Sequence, residues 1–147
     1  MKIKRIIVLV LSALMLCAAM SVPVFAEELS SINDDEIISE YENASDVYST
    51  LSISSATAQC RSYCVGYSYV TQISLTQTLQ KFWGLWIWND VDNASWTDNS
   101  MSNGIDASHS KNGLSSGTYR LKSVFTLTTS SGHTETITIY SSEKSVS

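Results

Sequence analysis

From residue 51 onward apolar and polar side chains alternate with period two, as in strands that bury one face and wet the other. The clearest strand is 118–129. Tyr119, Leu121, Ser123, Phe125 and Leu127 share one face, and Arg120, Lys122, Thr126 and Thr128 share the other. Ser130-Ser131-Gly132 reads as a tight turn, because Gly accepts the positive φ that a short hairpin loop needs. The alternation resumes over 133–141, with Ile137 and Ile139 inward, so 118–141 predicts a hairpin.

Upstream, 72–81 points Ile73, Leu75 and Leu79 inward, with Gln77 on the same apolar face. A buried amide there must find partners or lose about 1–3 kcal/mol. Residues 56–65 place Ala58, Cys60, Ser62 and Cys64 on one small-residue face, and Leu51-Ser52-Ile53 is a short candidate before them. Residues 85–91 are apolar on both faces, Leu85 and Ile87 opposite Trp86 and Trp88, which predicts a covered central strand. Residues 92–113 are rich in Asn, Ser and Asp and read as loop, with a weak strand at 105–110. No stretch supports a long helix.

The first twenty-six residues follow other rules. Lys2, Lys4 and Arg5 precede an apolar run from Ile6 to Met20, and Val24-Phe25-Ala26 carries small residues where signal peptidase cuts. Cleavage between Ala26 and Glu27 is expected, giving a secreted, extracellular protein. The run is too short for the roughly 20 continuous apolar residues of a spanning helix. Lipidation at Cys17 is disfavoured, because Leu16 is too large for a lipoprotein peptidase.

Removing the signal leaves six Lys/Arg against all fourteen Asp/Glu, so the net charge moves from −5 to −8. The excess lies in 27–50, which holds eight acids and no Lys or Arg. High charge and few apolar residues make that segment an expected disordered tether before a domain at 51–147. Without a basic patch, neither nucleic acid nor a membrane is an expected partner. Two cysteines remain. Four residues apart on one strand, Cys60 and Cys64 sit about 13 Å apart, roughly twice a disulfide's Cα span, so two buried thiols are expected.

Six or seven strands over about 95 residues predict an all-β, antiparallel β-sandwich of immunoglobulin-like type. Gly117-Thr118-Tyr119-Arg120-Leu121 resembles the tyrosine corner of such sandwiches, where a Tyr comes two residues before a core cysteine. Leu121 stands at that cysteine's place, and Cys60 lies on the strand that would supply its mate. The chain also resembles a family of small secreted Gram-positive proteins of uncharacterised function. The matching residues are Cys60, Gly66-Tyr67-Ser68, Ile73-Ser74-Leu75-Thr76 with Thr78-Leu79-Gln80-Lys81, Trp88 with Val91, Ser116 to Lys122, and Glu135-Thr136-Ile137-Thr138 with Tyr140-Ser141. Cys64 and Gln77 depart from it, standing where apolar residues are expected. This resemblance implies the sandwich and no known activity.

Candidate chemistry is sparse. Trp83, Trp86 and Trp96 lie near loops and are candidate platforms for sugar rings, whereas Trp88 reads as core. Asp90, Asp92, Asn93, Asp98 and Asn99 offer oxygens to Ca²⁺ but fit no loop motif, and read better as turn formers. Asp90 and Asp92 would share a face on a continuous strand, as the carboxylate pair of a glycosidase does. His109 and His133 read as solvated loop histidines. No cofactor and no enzymatic activity are expected. The function expected is a non-catalytic extracellular binding or structural module with an unknown glycan or protein ligand. The alternatives are a carbohydrate-binding module using the tryptophans, or a secreted antibacterial or signalling protein.

Overall fold

The computed structural model describes residues 41–147. The signal segment, its cleavage site between Ala26 and Glu27, and the first part of the acidic segment lie outside the described residues. Eight strands follow in order: β1 Ala44–Ser54, β2 Thr57–Gly66, β3 Val70–Gly84, β4 Ile87–Ser100, β5 Gly104–Lys111, β6 Gly117–Thr129, β7 Thr134–Tyr140 and β8 Lys144–Val146. They form two antiparallel sheets, β1-β2-β5 and β4-β3-β6-β7, with β8 on the same edge of β6 as β7. This is an all-β, two-sheet arrangement consistent with a β-sandwich.

The alternation read from the sequence sets the inner faces. Tyr119, Leu121, Ser123, Phe125 and Leu127 of β6 are buried, as are Ile73, Leu75, Gln77 and Leu79 of β3 and Ala58, Cys60, Ser62 and Cys64 of β2. Two apolar clusters result. One gathers Cys64, Ile73, Leu75, Phe125, Leu127 and Ile137, and the other gathers Leu51, Cys60, Leu79, Leu114, Tyr119 and Leu121. Where β7 gives way to β8, the Ser141 hydroxyl accepts the Leu121 N–H at 2.9 Å, so the strand break leaves no orphaned buried donor on β6.

Three expectations need correction. Residues 44–50 of the acidic segment belong to the domain, because β1 begins at Ala44 and pairs with β2 along its length. Glu42 and Asp46 lie outward while Ala44 and Leu51 are buried, and Tyr48 stacks on Tyr63 of β2 at 4.9 Å. Pairing with a neighbouring strand outweighs a local composition poor in apolar residues. Second, residues 85–91 are no covered central strand. Leu85 and Trp86 form the two-residue turn between β3 and β4, and β4 is the edge of its sheet. Third, 92–113 is mostly strand. β4 runs on to Ser100 around an irregularity opposite Leu79, where Asn93 takes φ 55°, and β5 occupies Gly104–Lys111.

Candidate binding site at the β3–β4 hairpin

Strand β3 is long enough to run past the sandwich. Beyond Leu79, the last buried apolar residue of β3, the β3–β4 hairpin carries a dense run of aromatic and aliphatic side chains. Trp83 is 72% exposed, and Leu85 and Trp86 at the tip are 83% and 91% exposed. Leu85 takes φ 48° and Trp86 φ 72°, so both central residues of the turn are left-handed, as in a type I′ turn. Such positions favour Asn and Gly; large side chains there are strained.

One side of the hairpin faces the β5–β6 connection across a groove of about 320 Å³. Trp83 forms one wall, Leu114 lies opposite, and Lys81, Asn89, Asp92 and Lys111 supply donors and acceptors. The far wall is held from below, since Leu114 N–H donates to the Ala56 carbonyl at 2.9 Å and Leu114 itself is buried. Lys81 spans the groove floor, donating through Nζ to Ser115 Oγ at 2.8 Å and lying 5.7 Å from the centre of the Tyr119 ring. Gly117 makes that course possible: a Cβ there would come within 2.5 Å of Lys81 Cε. Tyr119 fixes the same connection by donating its hydroxyl to the Ser115 carbonyl at 2.7 Å.

The opposite side of the hairpin is a stacked array. The Arg120 guanidinium lies 4.2 Å from the ring centres of both Trp88 and Tyr140, and Phe82 packs on Trp88 at 5.2 Å. Arg120 Nε donates to Gln80 Oε1 at 2.9 Å, and Gln80 Nε2 donates to Asp90 Oδ1 at 2.8 Å. Trp88 therefore packs against an outer-face cation, where the sequence suggested core.

The candidate residues separate accordingly. Trp83 and Trp86 share the hairpin, one on the groove and one at the tip. Trp96 lies elsewhere, half-buried on β4 and stacked on His109 at 5.0 Å with the planes 4° apart. Asp90 and Asp92 are parted by the irregularity in β4 and do not form a facing pair, since Asp90 is bonded to Gln80. Asp98 lies farther along β4, 3.6 Å from His109 Nε2, so the acids and amides of β4 are strung along a strand. Among the described residues no three His, Cys, Asp or Glu side chains gather as a metal site.

His109 is no loop histidine. It sits on β5, half-buried, with Nδ1 at 2.7 Å from Gln77 Oε1. His133 is exposed in the β6–β7 turn, 3.7 Å from Glu42. Cys60 and Cys64 are free and buried on one strand face. Burial pushes both thiols up to about 12, and for Cys64 the charges of Asp46 and Glu135 push the same way. Leu79, Cys60, Leu121 and Tyr119 meet in one core cluster.

Lys111, Leu114 and Ser115 are groove residues that no local pattern marks. They reach Trp83 only through the fold. Compared with family models, with curated proteins and with solved structures, the chain has no match.

Proposed function

We propose that this chain is a secreted, non-catalytic binding module on an immunoglobulin-like scaffold, and that the groove beside Trp83 takes a saccharide. The strand order supports the scaffold. Sheets β1-β2-β5 and β4-β3-β6-β7 correspond to strands A, B and E opposite C′, C, F and G. Tyr119 then stands at the start of strand F, and its bond to the Ser115 carbonyl is that of a tyrosine corner. Leu121 and Cys60 take the places of the inter-sheet disulfide, with Leu79 of β3 packed beside them.

The observation that carries the saccharide reading is the pairing of an exposed indole face with neutral and charged hydrogen-bonding groups in one groove. A sugar ring offers axial C–H groups to an aromatic face and hydroxyls to Asn89, Asp92, Lys81 and Lys111. Non-catalytic binding fits the state of the reactive side chains: Asp90 is held by Gln80, His109 is turned to Gln77, and both thiols are buried.

Affinity electrophoresis through gels containing cell-wall or plant polysaccharides tests the reading. The protein should be retarded on at least one glycan, Trp83→Ala should migrate freely, and Trp96→Phe should behave as the parent. Migration unaffected by every glycan would remove the saccharide from the proposal.

A further inference from the structure

We propose that the end of the β3–β4 hairpin inserts into the interface of an uncharged lipid bilayer. The inference goes beyond the groove, and it stands without the saccharide reading. Residues 82–89, Phe-Trp-Gly-Leu-Trp-Ile-Trp-Asn, contain no charge and are bounded by Lys81 and Asp90. Their apolar side chains project in every direction. Trp83 faces the groove, Trp88 the opposite side, and Leu85 and Trp86 the tip, with Phe82 and Ile87 also exposed.

A protein partner covers one face of a hairpin and asks for apolar residues there alone. Immersion in an apolar phase asks for them all round. The backbone sets the depth: Gly84 pairs with Ile87 and Phe82 with Trp88 around an irregularity at Trp83, while the outer N–H and C=O groups of the two-stranded hairpin stay unpaired, so it can enter the hydrated interface and not the hydrocarbon core. Tryptophan is the side chain that settles at the bilayer interface, with an apolar body and a polar N–H. From the Lys81–Asn89 pair to the tip is about four residues, roughly 13 Å of strand. Amphipathic elements sink about 5–10 Å into the headgroup boundary, so this reach brings Lys81 and Lys111 to headgroup level.

Three cations, Lys81, Lys111 and Arg120, and two carboxylates, Asp90 and Asp92, surround the foot of the hairpin. Their sum is a single positive charge, too little for adsorption by charge alone, so attraction does not depend on anionic lipid. The lack of a basic patch in the sequence argues against adsorption by charge and leaves insertion by apolar side chains open. The turn points the same way: Leu85 and Trp86 keep left-handed backbones while nine-tenths or nearly so of each is in water, a conformation that no contact within the domain repays.

The test is co-sedimentation of the exported chain with phosphatidylcholine vesicles, with and without phosphatidylglycerol, together with tryptophan emission. Binding to pure phosphatidylcholine, insensitive to salt and accompanied by a blue shift, is expected. The double substitution Leu85→Asn with Trp86→Gly keeps a turn of this geometry and should weaken partition about a hundredfold. Leu85 and Trp86 do not line the groove, so the same double variant should keep whatever glycan retardation the parent shows while losing vesicle binding, which separates failure at the tip from failure at the groove. Any of four outcomes overturns the inference: no binding by the folded chain, binding only to anionic vesicles and lost in salt, undiminished binding by the double variant, or a dimer closed over the hairpin that the double variant makes monomeric.

Discussion

The β3–β4 turn should be a place where the protein is less stable than its fold allows. A non-glycine residue in the left-handed region costs about 1–2 kcal/mol, and Leu85 and Trp86 both sit there at φ 48° and 72°. Replacing them by Asn and Gly removes most of that cost, about 2–4 kcal/mol before offsets. Asn retains part of the strain, and Gly returns about 0.5–1 kcal/mol through the entropy of the unfolded chain. Little packing is lost, since both side chains are almost wholly in water. The net expectation is a gain of about 1–2 kcal/mol. For a domain near 100 residues this raises Tm by roughly 4–15 °C. Urea denaturation at unchanged m-value, with a thermal melt beside it, measures the effect. An unchanged or lower midpoint, with a native circular dichroism spectrum, would refute the reasoning. The β1–β2 turn is an internal control, because Ser55 and Ala56 take φ 48° and 59° in the same way. Its Asn-Gly version should also stabilise, but without the loss of lipid binding expected of the tip.

Three further outcomes follow from the interior. Gln77→Leu should destabilise by about 1–3 kcal/mol in urea, although Leu is more apolar, because it strips Ser62 and His109 of their amide partner. A stability equal to or above the parent would show that those bonds contribute nothing net. Tyr119→Phe removes the bond to the Ser115 carbonyl and should cost about 1–2 kcal/mol while loosening the groove wall, seen as faster amide exchange at 114–116. Cys60 and Cys64, with folded values raised from 9.0 to about 12, bind their protons more tightly in the folded chain than in the unfolded one. Their contribution is therefore whole below pH 9 and is lost as pH rises toward 12. The Cys60→Ala, Cys64→Ala variant should show a shallower alkaline loss of stability. In the parent, a thiol reagent at pH 8 should react at least about a hundredfold faster in denaturant than in buffer.

Much of the sandwich is legible in the sequence because its central strands obey one simple rule. Strands β3 and β6 bury one face and wet the other, so 72–81 and 118–129 alternate cleanly and their inward residues are the ones found in the core. Strand β1 hides for the opposite reason: as a sheet edge it buries Ala44 and Leu51 and little else between them, and the acids that precede it in the sequence suggest a tether. The hairpin tip hides because its turn residues are Leu and Trp. An Asn-Gly pair at 85–86 would have marked the turn and kept 85–91 from reading as a buried strand. Of the site, Trp83 and Trp86 are visible as aromatic residues near a loop, but the groove is not. It is made by Lys111, Leu114 and Ser115, some thirty residues on, and only the β5–β6 connection brings them to Trp83.

The residue that local reasoning singled out as misplaced, Gln77, explains how the groove comes to be aligned. Its amide nitrogen donates to Ser62 Oγ at 2.6 Å and to the Ala107 carbonyl at 3.4 Å, which leaves Oε1 facing His109. His109 Nδ1 must then carry its hydrogen, and Nε2 is turned to Asp98 Oδ2 at 3.6 Å. In the other direction Ser62 meets Ser123 at 2.7 Å and Ser123 meets Ser49 at 2.8 Å. This polar chain crosses the core between the two apolar clusters and joins β1, β2, β6, β3, β5 and β4. A two-residue slip of β3, the smallest that keeps its apolar face inward, would set the Gln77 amide among aliphatic side chains, whereas an all-apolar layer would tolerate such a displacement. The layer thus fixes the height of β3 relative to the opposite sheet. That height decides how far the strand runs past Leu79, and so where Trp83 stands against Leu114.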